Sequence, residues 1–214
     1  MIGEKGFDCI IPAAGLSSRM SSWKPMVEFR GKPIIRTVVE RVRRVCSRII
    51  VVCGYRGDEL EEHFARDSDV VCVRNTAYRQ GMFSSIRTGA VQVETDWFFI
   101  MMGDMPLVPP ELFHRLALQI DLHPEANIIR PLCRNIPGHP VLLKRSVAET
   151  IGELDHSADM QAVFAAHEKK TGQIVFALNV DDIPECIRDI DTDEDLIAEG
   201  PEKLTVTRDH EEEE

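Results

Sequence analysis

The richest polar chemistry of the 214-residue chain lies near its start, in Pro12-Ala13-Ala14-Gly15-Leu16-Ser17-Ser18-Arg19-Met20, with Lys24 shortly after. Ala13, Ala14 and Gly15 lack bulky side chains, so backbone N–H groups there can approach an anion. Ser17 and Ser18 add hydroxyl donors. Arg19 and Lys24 add two positive charges to a protein whose formal net charge is −11. A cationic loop on an acidic background suits a small polyphosphate better than a long polyanion. The plainer reading, an ordinary strand-to-helix turn with a solvated Arg and Lys, stands beside it on composition alone.

Familiar alternatives fail on spacing. Gly31-Lys32 is followed by Pro33, so no GxxxxGK[ST] phosphate loop forms, and GxGxxG is absent. Gly15-Leu16-Ser17-Ser18-Arg19 is not GxSxG, which removes the nucleophile elbow. The six cysteines make no CxxC pair and the seven histidines no HExxH. The cysteines therefore read as small buried hydrophobes, and a zinc site is not signalled.

Such a loop needs a strand before it and helices around it. Residues 7–12 read as a buried strand. Ile34, Ile35, Val38, Val39, Val42 and Val45 mark one face of a helix, with Arg36, Glu40, Arg41 and Arg43 opposite. Strands are predicted at 48–53, 70–73 and 97–102, and helices at 58–66, 84–93 and 110–120. The run 97–102 is apolar on both faces, as in the middle of a parallel sheet. Shorter strands are predicted at 127–130, 140–143 and 174–178. Residues 191–196 read as a strand end feeding a short helix, with Thr192 as its cap. Strand–helix alternation implies a three-layer α/β/α fold with a mostly parallel, Rossmann-like sheet. Ligands then collect beyond the carboxyl ends of the strands.

Residues 1–200 are expected to form a single domain, and 201–214 an acidic, disordered tail. Hydrophobic residues make up 43%, ordinary for a globular protein. The acidic balance excludes a domain that holds nucleic acid through overall basicity. The apolar runs are far shorter than the roughly 20 residues of a membrane span, and residues 1–8 lack the apolar stretch of a secretory signal. A cytoplasmic protein is expected.

The loop also resembles the MobA-like nucleotidyltransferases, whose opening signature is approximately AAGxSxRMGxxK. Ala13, Ala14, Gly15, Ser17, Arg19, Met20 and Lys24 match it without a gap, and Ser21 stands where Gly is common. The Ala-Ala-Gly form resembles the cytidylyltransferase branch that matures molybdopterin. Further segments follow in family order: Asn75 with Gly81 through Gly89, Gly103-Asp104-Met105-Pro106, Gly138-His139-Pro140-Val141, and Asp189 through Leu196. Residues 155–160 depart from the pattern, since the family often has a Gly- and Arg-containing segment there.

The resemblance implies nucleotidyl transfer. A phosphate oxygen of the acceptor attacks the α-phosphorus of a nucleoside triphosphate, and pyrophosphate leaves. Alignment and charge neutralisation carry such a reaction, without a covalent intermediate. Arg19 and Lys24 are then the catalytic cations. Ala13, Ala14, Gly15, Ser17, Gly81, Ser84 and Ser85 bind the nucleotide, with Ser85 ahead of Ser84 for the base. His139 touches the acceptor. Asp104 and Asp191 hold Mg²⁺, or Mn²⁺ in its place. The plainer alternatives are capping for Ser84, Ser85, Asp104 and Asp191, surface pairing with a carboxylate for Arg19, and core packing for His139. CTP is the expected donor, with GTP as rival. Molybdopterin is the expected acceptor, with a sugar, polyol or amino-alcohol phosphate as rivals. A client molybdoenzyme is the expected partner. From another class, a non-catalytic nucleotide or cofactor carrier fits less well, because binding alone does not need Arg19, Lys24 and Asp104 together.

Overall fold

The computed structural model describes residues 6–16, 22–172 and 174–199. The expected tail at 201–214 lies outside them. β1 (Asp8–Pro12) starts the sheet, and β2 (Glu28–Phe29) and β3 (Lys32–Pro33) form a separate two-stranded ribbon. Then come α1 (Ile34–Val42), β4 (Arg48–Cys53), α2 (Gly57–Phe64), β5 (Val70–Arg74), α3 (Met82–Ala90) and β6 (Trp97–Ile100). The later half holds α4 (Pro110–Ala117), α5 (Gln119–Leu122), β7 (Ala126–Cys133), β8 (Ile136–Pro137) and β9 (Val141–Lys144). It closes with α6 (Arg145–Glu153), α7 (Met160–Thr171), β10 (Ile174–Asn179) and α8 (Asp193–Ala198).

The main sheet has the order β10-β7-β9-β6-β1-β4-β5, with β8 hairpinned onto β7. β5, β4, β1 and β6 run parallel, and so do β7 and β10. β9 runs antiparallel between β6 and β7. The run 97–102 therefore does occupy the middle of the sheet, but with one antiparallel neighbour. It leaves the strand after Ile100, two residues before the apolar run ends.

Alternation along the central strands supplies both faces with core. Cys9, Ile11, Ile49 and Val51 join one cluster, completed by Leu60 of α2, Leu112 of α4 and the Val38 and Val39 face of α1. Ile10, Ile50, Val52, Phe98 and Ile100 join the other, under Phe83 and Ile86 of α3, Val147 of α6 and Val163 of α7. Each large apolar side chain buried this fully contributes about 1.5–3 kcal/mol. At Gly89 an added Cβ would come within 2.5 Å of Ile10 Cγ2, so glycine lets α3 lie close on β1. That contact seats the last turn of α3 on β1 and β4.

Several predicted boundaries shift. The helix expected at 84–93 begins at Met82, which places Ser84 and Ser85 inside its first turn. The segment 110–120 divides at Leu118 into α4 and α5. No strand precedes α8. A 3₁₀ turn at Pro184–Ile187 and an irregular stretch lead there instead, and Thr192 caps the helix in a reciprocal box with Asp195. All six cysteines are free thiols, five buried and Cys72 half-buried.

Candidate active site

The carboxyl ends of β1, β5 and β6 open onto one cleft of about 870 Å³. Ala13, Ala14 and Gly15 form part of one wall. The Ala13 N–H donates to the Val52 carbonyl at 2.9 Å, and Tyr55 N–H donates to the Ala14 carbonyl at 3.2 Å, so the turn is pinned to β4. Gly54, at the end of β4, makes this possible. A Cβ there would lie 2.6 Å from Ala14 Cβ and 2.8 Å from Tyr78 Cβ. Ser17 and Arg19 lie outside the described residues.

Asn75 organises the adjoining wall. Its Nδ2 donates to Ser84 Oγ at 2.9 Å and Ser85 Oγ at 3.0 Å, and its Oδ1 accepts from Ala77 N–H at 2.9 Å. The two serines then part. Ser85 lines the cleft with Gly81. Ser84 does not: it is fully buried, and its hydroxyl faces the carbonyls of Gly81 at 2.7 Å and Ala77 at 3.1 Å. Ser84 thus secures the 77–81 turn from beneath rather than facing a ligand. Neither serine caps α3, whose N-cap is Gly81.

Lys24 opens a 3₁₀ turn at Lys24–Met26 and reaches across the cleft floor. Its Nζ lies 2.8 Å from Asp104 Oδ2 and 2.5 Å from Asp191 Oδ1. Burial disfavours the ammonium, but the charges and hydrogen bonds of Asp104 and Asp191 outweigh it and raise the Lys24 pKa. Asp104, Asp189 and Asp191 bring carboxylate oxygens within 4.8 Å of one another. Partial burial pushes the Asp189 carboxyl up, followed by the charges of Asp191 and Asp104. An all-oxygen, anionic donor set fits a hard divalent cation such as Mg²⁺ or Mn²⁺.

Asp189 stood outside the expected pair of ligands. The signal for it was alternation. Ile190 is buried with Phe29 and Ile34, and its N–H donates to the Asp104 carbonyl at 2.9 Å. With Ile190 turned inward, its two neighbours turn to the cleft. The capping alternative for Asp191 is answered by the same turn: Asp195 and Thr192 satisfy the start of α8, and Asp195 Oδ2 accepts the Asp191 N–H.

The far wall comes from β8 and the 3₁₀ turn. Ile136, Pro137, His139, Cys186 and Ile187 face the cleft. His139 N–H donates to the Cys186 carbonyl at 2.8 Å, and a Cβ on Gly138 would come within 2.5 Å of that same oxygen. Burial holds the His139 pKa below the usual histidine range, and its Nδ1 is buried with no hydrogen-bond partner among the described residues. The divergent segment 155–160 packs beside α3 through His156. Arg87 Nη1 lies 2.6 Å from His156 Nε2, and its Nη2 donates to the Gly152 carbonyl at 3.1 Å.

Residues 9–171 match the sequence profile of the family described as MobA-like NTP transferase domain. The chain is 35% identical over 192 residues to the molybdenum cofactor cytidylyltransferase of Escherichia coli (strain K12), covering 89% of this chain and 94% of that one. It is 32% identical to a probable molybdenum cofactor guanylyltransferase of Natronomonas pharaonis, over 72% of this chain and 76% of that one. Among solved structures, a nucleotidyl transferase from Methanothermobacter thermautotroptrophicus superposes with a TM-score of 0.74 at 21% identity, covering 92% and 96% of the two chains. A Mycobacterium tuberculosis protein solved in complex with manganese gives 0.68 at 22% identity, covering 92% and 98%.

Proposed function

From the premise that the chain belongs to the MobA-like NTP transferase family and is a nucleotidyltransferase, we propose that it moves CMP from CTP to the terminal phosphate of molybdenum cofactor, releasing pyrophosphate. The observation that carries this reading is one cleft where the Ala13–Gly15 turn, Lys24 and the three carboxylates meet, in a chain that matches the E. coli cytidylyltransferase over nearly its whole length.

The turn at Gly15 is assigned to the triphosphate: a Cβ there would meet nothing within 4 Å among the described residues. Arg19 and Ser17 of the same loop are assigned to the phosphates by their place in the sequence motif. Ser85 Oγ accepts from Asn75, which leaves its own proton for an acceptor atom on the base. Gly81 lets the chain pass close to the ring. Lys24 holds the α-phosphate and leaving pyrophosphate by charge. Asp104 and Asp191, with Asp189, hold Mg²⁺ or Mn²⁺, which when bound neutralises charge on the reacting phosphates. His139 faces the acceptor. No described helix is long and apolar enough to cross a membrane. In this reading the reaction runs in the cytoplasm, and its product passes to a client molybdoenzyme.

The test is pyrophosphate release and product mass with purified protein, Mg²⁺, molybdenum cofactor, and CTP, GTP or ATP in turn. A cytidine-dinucleotide product at the highest kcat/KM supports the reading. Turnover only with GTP moves the donor; with a polyol phosphate supplied in place of the cofactor, turnover there alone moves the acceptor, and binding without turnover leaves a carrier.

A further inference from the structure

The β7–β8 hairpin is a short, rigid finger. Its pairs are Leu132 with Pro137 and Cys133 with Ile136, so only Arg134 and Asn135 form the turn. Both have positive φ, 51° and 64°, as a two-residue hairpin of matching twist requires. The Arg134 N–H donates to Asp181 Oδ1 at 2.5 Å, which ties the tip to the end of β10. Gly138 and His139 press its base onto Cys186.

This finger holds out an isoleucine. Ile136 is 51% exposed and lines the cleft. Pro137 and Ile187 flank it along the same wall. The carboxylates and Lys24 mark the reacting end of the cleft, and the Ala13–Gly15 turn and Ser85 lie on the other wall. The aliphatic wall is thus placed for the second substrate. Aliphatic faces offer area to a ring system and no hydrogen bonds to a string of hydroxyls.

We propose that Ile136, with Pro137 and Ile187, is the acceptor-specificity wall: it packs on the ring body of a phosphate-bearing acceptor whose phosphate reaches the carboxylate end. This rests on the transferase reading above and deepens it, selecting a fused-ring acceptor over a polyol phosphate. Ile136 acts by contact with the acceptor body and takes no part in phosphoryl chemistry.

The experiment compares wild type, Ile136→Ala and Ile136→Leu. KM is measured for molybdenum cofactor at saturating CTP and for CTP at saturating cofactor. Binding of molybdopterin without nucleotide is followed by its own fluorescence. Ile136→Ala should raise the acceptor KM and Kd about 10-fold, the scale of lost aliphatic contact in a binding pocket. The CTP KM and kcat should stay within about 2-fold, and Ile136→Leu should restore most of the loss. Unchanged acceptor constants, or a shift in the CTP KM instead, overturn the proposal. Wild type that turns over while Ile136→Ala matches it sinks this inference alone. Wild type that binds molybdopterin, loses that binding on Ile136→Ala, yet forms no product sinks the transferase reading alone. Wild type that neither binds nor turns over molybdopterin sinks both.

Discussion

The two walls of the cleft are built by different means. The wall proposed for the nucleotide uses loops at the carboxyl ends of β1 and β5, small residues, and backbone groups pinned to β4. The wall proposed for the acceptor uses a hairpin, a 3₁₀ turn and an irregular stretch leading to α8. A parallel sheet supplies the first kind almost for free, because every crossover returns a loop to the same edge. The second kind appears where antiparallel β9 interrupts the parallel order. On the proposed assignment, the common chemistry of triphosphate binding is thereby separated from the part of the molecule free to choose a second substrate. Between the walls, Lys24, Asp104 and Asp191 form a seam belonging to both.

The seam should fail first and most completely. Asp104→Ala should lower kcat about 10²–10³-fold. The fold should survive, since Ile190 is held by the Asp104 backbone carbonyl and not by its carboxylate. Single-turnover kinetics and a thermal melt check both halves, and near-normal turnover would remove Asp104 from the seam. Asp189→Asn should be milder, weakening Mn²⁺ binding about 10-fold, read by paramagnetic titration. No change there would return Asp189 to the role of a rim charge. Ser85→Ala should raise the CTP KM about 3–10-fold, the worth of one hydrogen bond, with the acceptor KM unchanged. A shift in the acceptor KM instead would break the division of walls.

The smallest effect belongs to a group remote from both walls. Asp67 is clamped by Arg36 Nη1 at 2.8 Å and Arg43 Nη2 at 2.7 Å. The Arg36 hydrogen bond leads the causes that hold its pKa below the usual carboxylate range. The ionised form is therefore the stabilising one. Its contribution is complete above the unfolded-state pKa near 3.8 and is lost as pH falls through the lower folded-state value. Asp67→Asn should cost about 1 kcal/mol at neutral pH, or about 2–4 °C in Tm, without altering either KM. The Tm gap should close below about pH 4, and a gap that persists there would remove the ion pair as its cause.

The same contrast explains what could be read in advance. β1, β4 and the α1 stripe declare themselves through apolar period and length, and so does the three-layer plan. Lys24 and Asp104 stand at legible places, one in a loop motif and one after an apolar run. The order of Ser85 ahead of Ser84 agrees with the cleft lining, but the full burial of Ser84 was not legible, because one residue along a helix rotates a side chain by about 100° and the helix begins two residues early. Ile136 was hidden for another reason: a two-residue strand has no period to read. Asp189 hid among several aspartates whose roles only the inward turn of Ile190 sorts out.

That inward turn also limits how the chain can change over time. Asp189 and Asp191 share one side because a single core residue sits between them. Adding or removing one residue at this spot would send a carboxylate toward Phe29 and Ile34 and leave an isoleucine among the cleft carboxylates. Related sequences can therefore lengthen or shorten the stretches on either side, but this three-residue spacing should tolerate substitution at its centre only by another apolar residue.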